Sequence, residues 1–169
     1  VKSPADCYED LDKATAYTTD DLMYRHWDHT VMEIPHTFVA DFDLNSEITP
    51  ASSMDILEGE KELYELPTEP WSGLEQLDWS PDGKFIAYSC RKLTGKRYAF
   101  STNTEIYIYR VSDGKTSVID MKGGYDTDPV WSPDGSKICW ISMERDGYEA
   151  DKQRLMMAYV SVPESGEDM

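Results

Sequence analysis

The sequence has few positive charges and no long apolar run. Its 169 residues include 16 lysines and arginines against 33 aspartates and glutamates, a formal net charge of −17. Nucleic acids and anionic membranes bind basic surfaces, so we predict neither as a partner. No apolar stretch is long enough to cross a bilayer, and no signal peptide is recognisable. Because the chain starts at Val1, a removed leader stays open, and a periplasmic or secreted location is one option for a compartment that the sequence does not decide.

Cysteine and histidine are also scarce. The three cysteines are an odd number and show no zinc-type spacing, so buried thiols that fill apolar space are the preferred interpretation. His26, His29 and His36 lie close in sequence, but on a strand His29 would point away from His26. We therefore favour a hydrogen-bonded structural cluster, with Arg25 paired to Asp28, and predict no metal and no cofactor.

The most informative pattern is the stretch WSPDG, which occurs at 79–83 and again at 131–135. Serine suits the first position of a type I turn, proline presets φ at the second, aspartate is tolerated at the third, and glycine supplies a left-handed backbone at the exit. A run of apolar and aromatic residues follows each copy, first FIAYSC and then KICWIS. Each copy is therefore predicted to join two antiparallel strands.

The two copies are 52 residues apart, a period typical of repeat folds with one sheet in each repeat. One period predicts four strands: one ending at Trp79, one after the turn, then Glu105 to Val111 and Lys115 to Met121. The polar stretch RKLTGKRYAFSTN between the second and third strands is predicted to be a loop. The next period supplies KICWIS, another loop and RLMMAYVSV, and it lacks a fourth strand. Upstream, LMYRHWD, HTFVADF and MDILEGEKELYEL are interpreted as later strands of an earlier, atypical unit.

Both faces of the FIAYSC strand are apolar, with Phe85 and Ala87 on one side and Ile86 and Tyr88 on the other. Sheets that are apolar on both faces must stack, and four-stranded sheets stacked around an axis form a β-propeller. We predict an all-β fold, an incomplete β-propeller of about three four-stranded antiparallel blades. The blades would span residues 1–73, 74–124 and 125–169, the last one truncated. A single β-sandwich is the alternative, but a sandwich seldom repeats a turn at a fixed period.

The WSPDG turns with their strands, together with IYIYRVSDGK, resemble the propeller repeats shared by TolB-like proteins and the prolyl oligopeptidase family of serine peptidases. LMYRHWDHT, STNTEIYIY and SMERDGYEADKQRL narrow the resemblance to bacterial dipeptidyl aminopeptidases and acylaminoacyl-peptidase-like enzymes. It covers the chain from about Leu22 onward. One departure is that RHWDH runs into TVMEIPH, where the family pattern has a more polar turn.

The resemblance implies a propeller that gates and filters short peptides for a carboxy-terminal α/β-hydrolase domain. In this family the nucleophile lies in a G-x-S-x-G elbow of that domain, and no such elbow occurs in these residues. We therefore predict no catalytic residue in this chain. A TolB-like propeller that binds a partner protein and has no peptidase activity is the alternative function.

One loop, Met143 to Gln153, is the candidate for contact with substrate. The resemblance implies that propeller carboxylates can hold the amino terminus of a peptide, and Glu144, Arg145 and Glu149 are the substrate-facing candidates. No motif fixes which of them do so. The alternatives are a solvated loop and a loop that pairs internally through Arg145.

The large aromatic residues at strand positions have two interpretations. Stacking a ligand on exposed rings is one, and packing between blades is favoured because aromatic rings fill the space between sheets. An incomplete propeller also exposes strand edges and an apolar sheet face, so we predict self-association, or partners that cover the sheet after Arg154.

Overall fold

The computed structural model describes residues 19, 21–45, 47, 52–119 and 123–161. Within these ranges the chain forms eleven strands in antiparallel sheets, and its helical content is limited to one six-residue α-helix and short 3₁₀ turns. The all-β class is confirmed at this level. A closed ring of blades is not found among the described residues, so the propeller itself stays a proposal.

The middle of the chain forms the four-stranded sheet that the first period predicts. The strands β5 to β8 pair in sequence order as an antiparallel meander. Their bounds are β5 (Leu77–Trp79), β6 (Phe85–Cys90), β7 (Glu105–Arg110) and β8 (Thr116–Ile119). Strands rich in isoleucine and tyrosine fit this pleated surface well.

A three-stranded sheet follows, again as predicted. It consists of β9 (Tyr125–Trp131), β10 (Lys137–Met143) and β11 (Arg154–Tyr159), with β10 in the centre. The pairing of β9 with β10 shifts register between Cys139 and Ile141. The shift lies opposite Asp128, whose φ of 54° is unusual for a residue other than glycine.

The first unit differs from a four-stranded blade. Its strands form two separate two-stranded sheets, one from β1 (Arg25–His26) and β2 (His29–Thr30), the other from β3 (Phe38–Ala40) and β4 (Ser53–Asp55). The stretch MDILEGEKELYEL is a strand only at its start, because the acidic, glycine-containing run after Leu57 forms turns. Only the middle sheet has four strands within the described ranges.

The polar stretch after β6 contains a helix that the sequence does not predict. This helix, α1 (Gly95–Phe100), has exposed residues on most of its surface and one buried residue, Tyr98. Tyr98 is buried because it contacts Glu65, which lies 33 positions earlier in the chain. A contact at that separation leaves no local pattern from which the helix could be predicted.

The two WSPDG turns have the predicted geometry. The amide of Gly83 donates to the carbonyl of Ser80 at 2.9 Å, and the same bond joins Gly135 to Ser132 at 2.9 Å. Both glycines are left-handed, with φ of 69° and 70°. In each turn the serine hydroxyl donates to the aspartate two residues later and accepts the amide that opens the next strand. The two turns also touch, since Pro81 lies against Gly135.

Strand β6 is buried on both faces, as predicted. Phe85 and Ala87 belong to a cluster that includes Ile108 of the neighbouring strand β7 and Trp140 of β10 in the three-stranded sheet. The opposite face of β6 packs into a second cluster, which consists of Ile56, Leu57, Leu66, Ile86, Tyr88, Cys90 and Tyr109. Burying one large apolar side chain contributes about 1.5–3 kcal/mol. Because β6 is buried on both faces, its side chains contribute strongly to the stability of the described fold.

Candidate functional site

A cleft of about 750 Å³ lies at the end of the sheets where the long connections meet. Its walls come from the β1–β2 hairpin, the segment 68–72, helix α1 with the residues that follow it, and the connection between β10 and β11. These segments are far apart in sequence. The cleft is therefore made by tertiary contacts, and these contacts decide which side chains line it.

One buried carboxylate, that of Glu65, contacts three of these walls. Glu65 is 8% exposed, and one of its oxygens lies 2.6 Å from Nε2 of His26 in the hairpin. The other oxygen accepts a hydrogen bond from the Tyr98 hydroxyl and one from the amide of Glu69 at 3.3 Å. Burial and the nearby Glu65 charge raise the pKa of Tyr98, so this hydroxyl stays a donor at neutral pH. The hairpin, the 68–72 segment and α1 thus share one anchor.

A second carboxylate fixes the connection between β10 and β11. Asp146 accepts hydrogen bonds from the Ser101 hydroxyl at 2.7 Å and from the amides of Thr102 at 2.8 Å and Asn103 at 3.1 Å. The Gly147 amide donates back to the Thr102 hydroxyl at 2.8 Å. Partial burial acts to raise the pKa of Asp146, but these hydrogen bonds outweigh it and the net shift is downward. The connection is therefore tied to the exit of α1.

The three predicted substrate-facing residues are not equivalent in the structure. Glu144 pairs with Arg154 at 2.8 Å, and Arg145 pairs with Asp151 at 3.0 Å, which is the internal pairing named above as an alternative. Hydrogen bonds from Arg145 hold the pKa of Asp151 below its usual range. Glu149 is exposed and lines the cleft. The geometry brings only Glu149 of the three to the cleft, and a role in binding substrate stays a prediction.

Several cleft residues were missed by the sequence analysis. Trp27, Trp71 and Phe100 are 74%, 75% and 79% exposed, and all three line the cleft together with Glu69. Trp27 lies in the RHWD stretch, in which the sequence pattern singles out the histidine and the charged residues. Trp71 follows a proline in a segment without regular periodicity, so the sequence carries no signal that would bring the two tryptophans together.

The histidines pair with carboxylates in the structure. Besides the pairing of His26 with Glu65, His36 Nδ1 lies 2.5 Å from Asp55. His29 lies 3.3 Å from Asp28 at the surface. The expected pairing of Arg25 with Asp28 is not formed within the described residues, and Arg25 lines the cleft instead. No group of three metal-ligating side chains converges in the part of the chain that the structure describes.

The sequence is similar to those of several known proteins. Dipeptidyl-peptidase 5 of Porphyromonas gingivalis is 52% identical over 158 residues, which is 93% of this chain and 22% of that protein. This chain is homologous to a segment of dipeptidyl-peptidase 5. The relative from Porphyromonas endodontalis is 48% identical over 149 residues, 88% of this chain and 21% of its own length. A probable dipeptidyl-peptidase 5 of Aspergillus niger is 27% identical over 161 residues.

Dipeptidyl-peptidase 5 is a peptidase of the prolyl oligopeptidase family, which confirms the resemblance seen in the WSPDG, RHWD and MERDGYEAD stretches. The chain spans about a fifth of the length of the curated relatives that it matches. No protein-family model matches it. Among the described residues, no helix is both long and apolar enough to cross a membrane.

Proposed function

We propose that this chain is part of the β-propeller of a dipeptidyl-peptidase, and that it gates and filters short peptides for a carboxy-terminal α/β-hydrolase domain of the same protein. The observation that carries the proposal is the 52% identity with dipeptidyl-peptidase 5 over 93% of the chain. The relatives named above are peptidases, which favours this proposal over a protein-binding propeller without peptidase activity. The hydrolase domain would supply the nucleophile, and this chain none of the catalytic residues.

In this proposal the cleft holds the amino-terminal part of the peptide. Its rim carries two exposed carboxylates, Glu69 and Glu149, for which no ion pair is found within the described ranges. A free ammonium group suits such carboxylates, because a charge-assisted hydrogen bond is about twice as strong as a neutral one. Three exposed aromatic rings in the same cleft offer apolar contact for peptide side chains.

The proposed blades follow the sheets. Residues 74–124 and 125–169 would be two blades, and residues 1–73 would contribute an atypical one. On the outer face of β11, Leu155, Met157 and Tyr159 are 78%, 53% and 76% exposed. An apolar face of this kind is typical of a contact surface, so we propose that the rest of the parent protein covers it. A preparation of this chain alone is then expected to self-associate through the same face.

The test replaces Glu149 by glutamine in the parent protein, with Glu144→Gln as the matched control. Glu149 lines the cleft, whereas Glu144 is paired with Arg154 and does not. We expect E149Q to lower kcat/KM for peptides with a free amino terminus about tenfold, the loss of one charge-assisted hydrogen bond. Peptides with a blocked amino terminus are expected to change little, and E144Q is expected to change neither class.

Two outcomes would contradict the proposal. An equal loss for free and blocked peptides in E149Q would remove the amino-terminus role. Turnover of dipeptide reporter substrates by this chain alone, sensitive to a serine-directed phosphonate, would contradict the assignment of catalysis to another domain, because a serine nucleophile needs a positioned base.

A further inference from the structure

Two exposed tryptophans form a pair on the wall of the cleft. The rings of Trp27 and Trp71 are 5.6 Å apart between centroids and inclined at 74°, an edge-to-face contact. Both side chains are about three-quarters exposed. Single exposed apolar residues are common, but two adjoining indoles in a concave site make an apolar patch of the kind that marks a binding surface.

The backbone at Trp27 is unusual. Trp27 and Asp28 form the two-residue turn of the β1–β2 hairpin, in which His26 pairs with His29. Trp27 has a φ of 51°, and Asp28 is not among the residues with positive φ. This is the pattern of a type II′ turn, whose first central position normally holds glycine. A bulky residue there is an outlier, and such outliers concentrate at functional sites.

The backbone next to each tryptophan is fixed by contacts with Glu65. Glu65 accepts a hydrogen bond from the amide of Glu69, two residues before Trp71, and contacts His26, which precedes Trp27. Both tryptophans therefore follow backbone segments that are fixed to the same buried carboxylate. A preorganised pair of rings binds an apolar group without first having to be ordered.

We infer that Trp27 and Trp71 form a subsite for a bulky apolar side chain of the bound peptide. This inference rests on the proposed function, because it takes the occupant of the cleft to be a peptide with a free amino terminus. The charged lining suits that occupant: Glu69 and Glu149 can hold an ammonium group, and the two arginines of the same cleft, Arg25 and Arg91, can donate hydrogen bonds to peptide carbonyl oxygens. The pair would then select peptides by the size of an apolar residue near their amino terminus.

The test uses Trp27→Gly and Trp71→Ala in the parent protein. Glycine is the residue that the turn at position 27 favours, so W27G is expected to fold. Trp79→Ala is the control, because Trp79 is 49% exposed and lies beside the WSPDG turn, outside the cleft. The substrates are free-amino-terminus peptides that differ only in one side chain: alanine, leucine or phenylalanine.

We expect W27G and W71A to lower kcat/KM about tenfold for the leucine and phenylalanine peptides and to leave the alanine peptide within about twofold, since an apolar pocket discriminates by that order. W79A is expected to show no such size dependence. An equal loss for all three peptides would overturn the inference, because it is the result expected if the indoles pack against the rest of the parent. No loss for any peptide would overturn it as well. W27G could lose size selectivity while E149Q affects free and blocked peptides equally. That combination would support the subsite and refute only the amino-terminus role.

Discussion

Replacing Asp126 by asparagine and by alanine separates two roles of a buried carboxylate between the four-stranded sheet and the three-stranded sheet. Asp126 is fully buried, and one of its oxygens accepts a hydrogen bond from the Trp140 indole at 2.9 Å. Its backbone forms two further hydrogen bonds with Thr104, the residue before β7 of the four-stranded sheet. Asparagine keeps an oxygen for Trp140 and removes the charge, whereas alanine removes both.

The alanine variant leaves the Trp140 N–H buried without a partner. An unsatisfied buried donor costs about 1–3 kcal/mol, and for a chain of this size each kcal/mol lowers Tm by about 2–4 °C. We therefore expect Asp126→Ala to lower Tm by roughly 2–12 °C at neutral pH. The Tm of Asp126→Asn is expected to stay within about 2 °C of that of the unsubstituted chain, because the oxygen that accepts from Trp140 remains.

The unsubstituted chain and the Asp126→Asn variant should also differ in how their stability depends on pH. Burial raises the pKa of Asp126 above its ordinary value of 3.8, and hydrogen bonds from Ser142 and Trp140 only partly offset this. A raised pKa in the folded state contributes stability that is fully present below the unfolded pKa and is lost as pH rises through the folded pKa. Relative to Asp126→Asn, the unsubstituted chain should therefore gain stability as the pH falls.

Thermal unfolding followed by circular dichroism between about pH 3 and pH 7 measures the difference. A neutral-pH loss in Asp126→Asn as large as that in Asp126→Ala would refute the reasoning.

Two further predictions compare a pair of glycines and a pair of cysteines. Gly83→Ala is expected to cost about 1–2 kcal/mol, because its left-handed φ of 69° is unfavourable for alanine although the surroundings are open. Gly124→Ala should cost clearly more in denaturant unfolding, because its Cβ would lie 1.9 Å from the carbonyl oxygen of Met143, and an equal cost would contradict this. Burial raises the pKa of the Cys90 thiol to about 12, so iodoacetamide at about pH 8 should modify the partly exposed Cys139 well before Cys90. Mass spectrometry of the labelled peptides checks the order, and early modification of Cys90 in the folded chain would contradict the burial.

The four-stranded and three-stranded sheets could be predicted because their hairpins are encoded locally. Ser80, Pro81 and Gly83 specify a turn within a few residues, and the second copy specifies the same turn with the same bonds. The first unit has no such signal. Its strands are two or three residues long, and the residues of this unit that pack with β6, among them Val39, Ile56 and Leu57, are not marked by any motif.

The cleft could be predicted only in part for a related reason. The charged loop after β10 was identified from its composition, but the partners of Glu144 and Arg145 take these two residues out of the cleft. Glu65 brings together residues 26, 69 and 98, which are separated by up to 72 positions along the chain. No periodicity or motif marks such a convergence. Its members were visible in the sequence only as a histidine, a glutamate and a tyrosine among many.

The contact between Pro81 and Gly135 and the contact between Asp146 and residues 101–103 lie at opposite ends of the same two sheets. The short turns that set strand pairing are therefore grouped at one end, and the long connections that shape the cleft are grouped at the other. Insertions and deletions in the long connections can remodel the cleft without altering a hairpin register. Such changes would alter the lining of the cleft and leave the two WSPDG turns, and the strand pairing that they set, unchanged.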